Sequence, residues 1–298
     1  MRTAAIGIGS NSLRMLIADV SEGRLHRLRR YREGLRVFAA LDERGNITEQ
    51  MIAKACESVE SFRKEAISQG VEKVHLFATS AVRDAANQDA FLEALRNATG
   101  LPLDIISGEE EARLSFLGAT EGERTGLIDI GGGSTEIVVG QGREIADAVS
   151  LQMGAVRLYR MHPIASVMDA HAVTELAERI IEPEKARFLA LQAEGWVGVG
   201  GTFTTGAAFV QQQPWQRREN IHGFRLTQET VLKALETLAP MPMEERVKLA
   251  YLQPQRADIV AHGFAILLAC MRQLQISSIS VSECGNLEGY LKQKYLLA

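Results

Sequence analysis

Residues 127–139, LIDIGGGSTEIVV, constrain this chain more than any other stretch. An apolar run closes on Asp129, glycines follow at 131 to 133, Ser134, Thr135 and Glu136 come next, and Ile137 to Val139 resume a β-branched pattern. That order predicts a strand, a tight turn and a second strand, a β-hairpin rather than a strand–helix corner. Gly131, Gly132 and Gly133 leave main-chain N–H groups clear of side chains, so a phosphate can sit on the backbone, with the Ser134 and Thr135 hydroxyls beside it. Asp129 and Glu136 flank this cradle with the carboxylates that Mg²⁺ requires. A bare glycine run would be read as a turn and nothing more. The two acids and two hydroxyls around it favour a phosphate site.

The pattern occurs a second time at the start of the chain. IGIGSNSLRMLI at 6–17 lies over IDIGGGSTEIVV at 128–139, with Ile6 on Ile128, Gly9 on Gly131 and Ser12 on Ser134. Ser10, Asn11 and Ser12 then form a first phosphate loop. Two such hairpins, each opening a half of the chain, predict a duplicated domain that closes on a phosphorylated ligand. One position breaks the register, for Gly7 stands where the second copy has Asp129. The expectation from the repeat is that an acid placed at Gly7 would strengthen Mg²⁺ binding and raise turnover.

A chain of 298 residues is long enough for two domains with full cores. A net charge of −4 argues against general nucleic-acid binding and requires any polyanion to meet a local basic patch. Cys56, Cys270 and Cys284 are odd in number and widely spaced, which gives neither a disulfide framework nor a metal pair and fits a reducing cytoplasm. The most apolar helix candidate, 259–271, carries His262 and is too short to span a bilayer, so no membrane partner is expected.

In chain order, strands are predicted at 4–8 and 13–20, and a helix from the Thr48 cap to about Ser68. The arginine-rich run 24–36 is either a solvated strand edge or a landing surface for a polyanion, since guanidinium forks match phosphate oxygens. A strand at 74–78 delivers Arg83 at its carboxyl end, where α/β sheets hold ligands, so Arg83 is a phosphate clamp or a structural arginine. Asn87 is expected to cap the next helix, and 103–106 to form a strand. In SGEEEARLSFLG, 107–118, the acids suit a helix N-terminus. Glu111 is offset from Glu109 by two positions, faces differently and can point inward. A helix over 170–191 is expected to break near Pro183. The strand at 196–199 ends in Gly200, Gly201 and Thr202, a corner that suits phosphate or nucleotide and equally suits close helix–sheet packing. Helices follow at 227–238, 244–251 and 257–274, then a strand at 278–281 and a closing helix at 285–297. His222 and His262 lack metal-ligand spacing and read as structural.

These residues resemble the exopolyphosphatase / guanosine pentaphosphate phosphohydrolase (Ppx/GppA) family in its short form. The resemblance covers nearly the whole chain and is carried by GSNSLRML at 9–16, ATSAVRDA at 78–85, ISGEEEARL at 106–114, LIDIGGGSTEIVV at 127–139, MGAVRL at 153–158, GVGGT at 198–202 and IHGFRLT at 221–227. It implies an α/β fold of two ribonuclease-H-like, actin-like (ASKHA) domains with the active site between them. The first would span 1–123, with 286–298 returning to it, and the second 124–285. It further implies Glu111 as the catalytic glutamate that activates water, Asp129 and Glu136 as ligands of Mg²⁺ or Mn²⁺, and Arg83 and the two loops as phosphate contacts. This chain departs from the family at Gly7, where an Asp is usual, and in SECGNLEG at 282–289, where Glu283 replaces Asp and Leu287 replaces Arg.

The sequence therefore points to Mg²⁺-dependent hydrolysis of terminal phosphate from inorganic polyphosphate in the cytoplasm. The alternatives are the 5′-phosphate of guanosine pentaphosphate, which would connect the chain to the stringent response, or a (p)ppGpp- or polyphosphate-binding protein with weakened catalysis. An actin-like ATPase or sugar kinase would need an adenosine pocket, for which GVGGT is the one sign. A homodimer is left open, and no nucleic-acid partner is expected.

Overall fold

A computed structural model of the chain describes residues 1–297. They fall into two compact units, Met1–Gly118 with the chain from Asn286 onward, and Ala119–Gly285.

The first unit opens with β1 (Arg2–Ile8), β2 (Leu13–Ser21) and β3 (Arg24–Glu33), followed by α1 (Glu49–Ser68), β4 (Lys73–Ala78), the single turn α2 (Ser80–Arg83), α3 (Gln88–Thr99), β5 (Leu103–Ile105) and α4 (Gly108–Ala119). Its sheet runs β3-β2-β1-β4-β5, with β1–β3 an antiparallel meander and β4 and β5 parallel to β1. β1 is buried from Thr3 to Ile8 because it lies inside a sheet covered on both faces, which is why it reads as an unbroken small and apolar run. β3 is the outer edge and is exposed along most of its length.

The second unit comprises β6 (Arg124–Ile130), β7 (Thr135–Gln141), β8 (Glu144–Leu151), α5 (Ala155–Met161), α6 (Val167–Ala190), β9 (Gly195–Val199), α7 (Gly201–Val210), β10 (Arg225–Thr227), α8 (Gln228–Leu238), the short α9 (Met243–Arg246), α10 (Val260–Gln273) and β11 (Ser278–Val281). The chain then returns to the first unit as α11 (Asn286–Leu296). The second sheet is ordered β10-β11-β9-β6-β7-β8. Its core gathers Ile128, Ile137, Val139 and Phe203 with Phe264 and Leu267 of the almost wholly buried α10.

The two sheets share one plan, an antiparallel meander flanked by a parallel strand. They also share a local irregularity. The β2–β3 ladder slips between Ile17 and Ala18, and the β7–β8 ladder between Val139 and Gly140. These are the same two positions when the sequence repeats are overlaid.

Several expectations are corrected. Pro183 lies inside α6 without ending it. The amide and carbonyl bonds lost there are offset by Ala177, Ile181 and Phe188, which are buried in the second unit's core. Asn87 precedes α3 but makes no cap; its amide side chain holds Ile47 instead, accepting from its N–H at 2.8 Å and donating to its carbonyl at 2.9 Å. The helix expected at 244–251 is the single turn α9. There the buried Arg246 guanidinium is turned back onto the carbonyls of Ala239 and Met241 and fixes a turn. The stretch expected to be helical from Ala257 becomes α10 only at Val260, after a 3₁₀ turn at Pro254–Arg256. No helix among the described residues is long and apolar enough to cross a membrane.

Candidate active site

In the second unit the glycine loop joins β6 to β7, and the amide of Gly131 closes it on the Ser134 carbonyl at 3.0 Å. The remaining loop carbonyls are committed to α5. Gly131 O accepts from Ala155 N at 3.0 Å, Gly132 O from Val156 N and Arg157 N at 2.9 and 3.0 Å, and Gly133 O from Arg157 Nε at 2.7 Å. With its carbonyls fixed on that side, the loop leaves the amides of Gly132 and Gly133 as the groups that could meet an anion. Gly154 must be glycine for this docking, since a Cβ there would lie 2.3 Å from Gly132 O. The Thr135 hydroxyl is spent on the Met153 carbonyl, and Ser134 is buried beside it.

Asp129 and Glu136 stand directly opposite each other on β6 and β7 and so share one face of the sheet. They are 9% and 1% exposed. Ser150 on β8 donates to Glu136 Oε1 at 2.8 Å and orients it. The β9–α7 corner comes against the same face. A Cβ on Gly200, whose φ is +94°, would lie 2.9 Å from Asp129 Oδ1, so glycine is required there by both conformation and space. The Arg256 guanidinium lies over Gly201, with Cζ 1.8 Å from where a Cβ would be. Thr202 turns its side chain onto α10, where a Cβ at Gly263 would meet its Oγ1 at 2.5 Å. Of this corner, Gly200 therefore borders Asp129 and Gly201 lies under Arg256, while Thr202 packs.

Two buried carboxylates side by side on neighbouring strands repel each other and call for a cation. This donor set suits Mg²⁺, a hard ion that takes one or two carboxylates and completes its shell with water and phosphate oxygens. Among the described residues no group of three or more His, Cys, Asp and Glu side chains gathers to hold a metal. Asp129 and Glu136 would hold one as a pair.

The first unit repeats the loop with different chemistry. Gly9 N donates to Ser12 O at 3.0 Å, the same closure as Gly131 to Ser134. The Ser10 and Ser80 hydroxyls meet at 2.8 Å, which joins the loop to the start of α2. The carbonyls of Ser10 and Asn11 accept from Phe38 N and Arg36 N at 3.0 and 3.1 Å. Ser10, Asn11 and Ser12 are all buried, and Asn11 Oδ1 has no hydrogen-bond partner. Gly7 and Arg14 are directly opposite, so the first copy has glycine for Asp129 and arginine for Glu136. Arg14 donates to Asn286 Oδ1 at 3.2 Å, and its Nε is unpartnered. The Gly7 face is packed with apolar side chains.

Arg83, the last residue of α2, meets Glu111 of α4. Arg83 Nη1 is 3.4 Å from Glu111 Oε2 and donates to Ile106 O at 3.1 Å. Ser107 Oγ caps α4 by accepting from Glu110 N at 3.1 Å. Glu109 is exposed while Glu111 is 7% exposed, the divergence that helix geometry requires. The histidines are tied up locally. His262 Nε2 donates to His162 O at 2.9 Å, and His222 Nδ1 accepts from Glu283 N at 3.3 Å.

Sequence reasoning missed Arg14, Arg157 and Arg256. The repeat register already placed Arg14 at the counterpart position of Glu136. Arg157 lay inside the MGAVRL motif without a role of its own, and nothing local marked Arg256; both reach their sites from other elements.

Two α/β units that each open on an antiparallel meander with the repeated hairpin define the actin-like fold class. The Ppx/GppA phosphatase family model matches residues 16–297, and the chain belongs to that family. It is 32% identical to Exopolyphosphatase 2 of Mycobacterium tuberculosis, with 97% of each chain covered. The solved Ppx-GppA enzyme of Aquifex aeolicus is 29% identical, covers 98% of this chain and 99% of its own, and superposes with a TM-score of 0.83. An exopolyphosphatase from Cytophaga hutchinsonii shares the fold at a TM-score of 0.89 and 24% identity, covering 99% of this chain and 98% of its own. The chain is thus a hydrolase of phosphate groups.

Proposed function

We propose that this chain removes the terminal phosphate of inorganic polyphosphate and that its activity depends on Mg²⁺. The observation that carries the reading is the pair of the buried Glu111 and the part-buried Arg83, a carboxylate held 3.4 Å from a guanidinium. Such a pair supplies the two things that phosphoryl transfer to water asks of a protein, a proton acceptor and a positive charge for the phosphoryl oxygens. Water oxygen bonds to the terminal phosphorus as the bond to the bridging oxygen breaks. The water proton passes to Glu111, and the shortened polymer leaves with the electron pair on its new terminal oxygen. In the first unit Arg83 and the loop of Ser10, Asn11 and Ser12 hold phosphate oxygens, and in the second the amides of Gly132 and Gly133 do so. Arg14 and Arg256 add charge beside the two hairpins. Asp129 and Glu136 would hold the Mg²⁺, which when bound neutralises phosphate charge.

A phosphate-release assay on polyphosphate, guanosine pentaphosphate and ATP, with and without Mg²⁺, tests the reading. Fastest release from polyphosphate, abolished by chelation, is the expected result. Faster release from guanosine pentaphosphate would move the assignment to that substrate. Binding of either without release would leave a sensor.

A further inference from the structure

β3 carries Arg24, Arg27, Arg29, Arg30 and Arg32 on the outer edge of the first sheet. Side chains of a strand alternate between faces, so plain alternation would put Arg27 and Arg29 on one face with Arg30 and Arg32 on the other. The slip in the β2–β3 ladder changes this. Arg32 pairs with Arg14, Arg30 with Leu16, and Arg27 with Ala18, while Arg29 pairs with Ile17. Cross-strand partners share a face. Arg27 therefore joins Arg30 and Arg32 on the face of Leu16 and Ala18, which is the α11 side: both pack in a cluster with Leu287, Tyr290 and Leu291. Arg29 is left on the opposite face, where α1 supplies Glu65. That carboxyl is held low by its bonds from Tyr31 and Gln69 and, more weakly, by Arg29.

The row starts at the first phosphate loop. Glu33 ends β3 opposite Leu13, and the next residues close on the loop, Arg36 N on Asn11 O at 3.1 Å. From there Arg32, Arg30 and Arg27 lead away over roughly 15 Å at the usual strand rise. Arg30 is committed to the buried Glu288 carboxylate, while Arg27 and Arg32 are exposed. In a chain of net charge −4 this is a concentrated positive edge.

We propose that the α11-side row of β3, Arg27 and Arg32 beside the tethered Arg30, is a track that holds the distal phosphates of a linear polyphosphate whose end is at the Ser10–Ser12 loop. The bulge creates the track by rephasing Arg27. The proposal rests on the polyphosphate reading above and specifies where chain length is sensed. Guanidinium groups spaced along a strand suit a flexible polymer of repeating oxyanions better than a compact nucleotide.

The test compares wild type with an Arg27→Ser, Arg32→Ser double variant and with Arg29→Ser, which lies on the other face. Relative kcat/KM for long-chain polyphosphate over tripolyphosphate is measured, together with binding of long-chain polyphosphate by the same proteins under chelation. The double variant is expected to lower the ratio and the affinity on the order of tenfold, with a shallower salt dependence, and Arg29→Ser to leave the ratio where it is. Equal losses from Arg29→Ser, or a double variant with an unaltered ratio and affinity, would overturn the track. Failure of wild type to release phosphate from polyphosphate of either length would overturn the enzymatic reading instead, and the binding measurement would still decide the track.

Discussion

Gly7 and Leu287 are in packing contact: a Cβ built on Gly7 would lie 3.4 Å from Leu287 Cδ2 and 2.9 Å from Phe77 Cζ. Two of the three positions at which the sequence departs from the family motifs, Gly7 and Leu287, are thus one place in the molecule, while Glu283 pairs with Arg218 in the second unit. Leu287, Phe77 and Tyr290 form a single apolar cluster, and the Phe77 and Tyr290 rings stack at 4.7 Å. The expectation that an acid at Gly7 would strengthen Mg²⁺ binding is corrected by this packing, because the carboxylate would point into rings and methyl groups.

Gly7→Asp should therefore destabilise the protein, by about 1–3 kcal/mol from overpacking against Phe77 and Leu287, with Arg14 opposite it as a charge partner that limits the loss. Adding Leu287→Arg should recover part of that loss by relieving the contact and adding a second cation, a coupling readable by denaturant unfolding of the two single variants and the double. A Gly7→Asp protein as stable as wild type would show that the cluster yields easily.

Glu111→Gln keeps the shape of the side chain but cannot take a proton. Turnover should fall by about two to four orders of magnitude, while polyphosphate still binds. The measurement is steady-state phosphate release beside equilibrium binding of the same substrate. Near-normal release would assign the proton to another group.

Asp129→Asn should reveal the metal pair without recourse to activity. Under chelation the variant should melt at or above the wild-type temperature, because two neighbouring buried carboxylates become one. Added Mg²⁺ should raise the melting temperature of wild type and raise that of the variant less. Identical Mg²⁺ responses would remove Asp129 from the metal site.

His262 sets a pH limit on the fold. Burial in the second unit's core is the main cause that pushes its pKa down to about 4, while its bond to the His162 carbonyl acts the other way. The unfolded chain takes up a proton near pH 6.5 and the folded chain does not, so stability present above that pH is lost as pH falls towards 4. The loss from this group is on the order of 3 kcal/mol. Urea unfolding of wild type and His262→Gln at several pH values should show a flatter profile for the variant between pH 6.5 and 4. Parallel profiles would place the acid sensitivity elsewhere.

Much of the molecule is readable from short stretches. The hairpins at Gly9 and Gly131, the Thr48 and Ser107 caps and the inward turn of Glu111 each depend on residues within about one or two turns of each other. Turn chemistry and side-chain period act at that range, and the repeat adds a second copy against which to check them. The helix-breaking force of Pro183 and the capping of Asn87 are also local rules, and both gave way where tertiary partners supplied more: the core around α6, and the backbone of Ile47.

What only the tertiary structure decided lies between residues far apart in the chain. Leu287 closes on Gly7, Arg256 covers Gly201, and α5 takes the carbonyls of the glycine loop. The face on which Arg27 lies depends on a ladder slip visible only once β2 and β3 are paired. The sequence carries all of these residues, but each contact is set by how strands register and helices dock. Those arrangements follow from packing across the whole unit, which no window of a dozen residues contains.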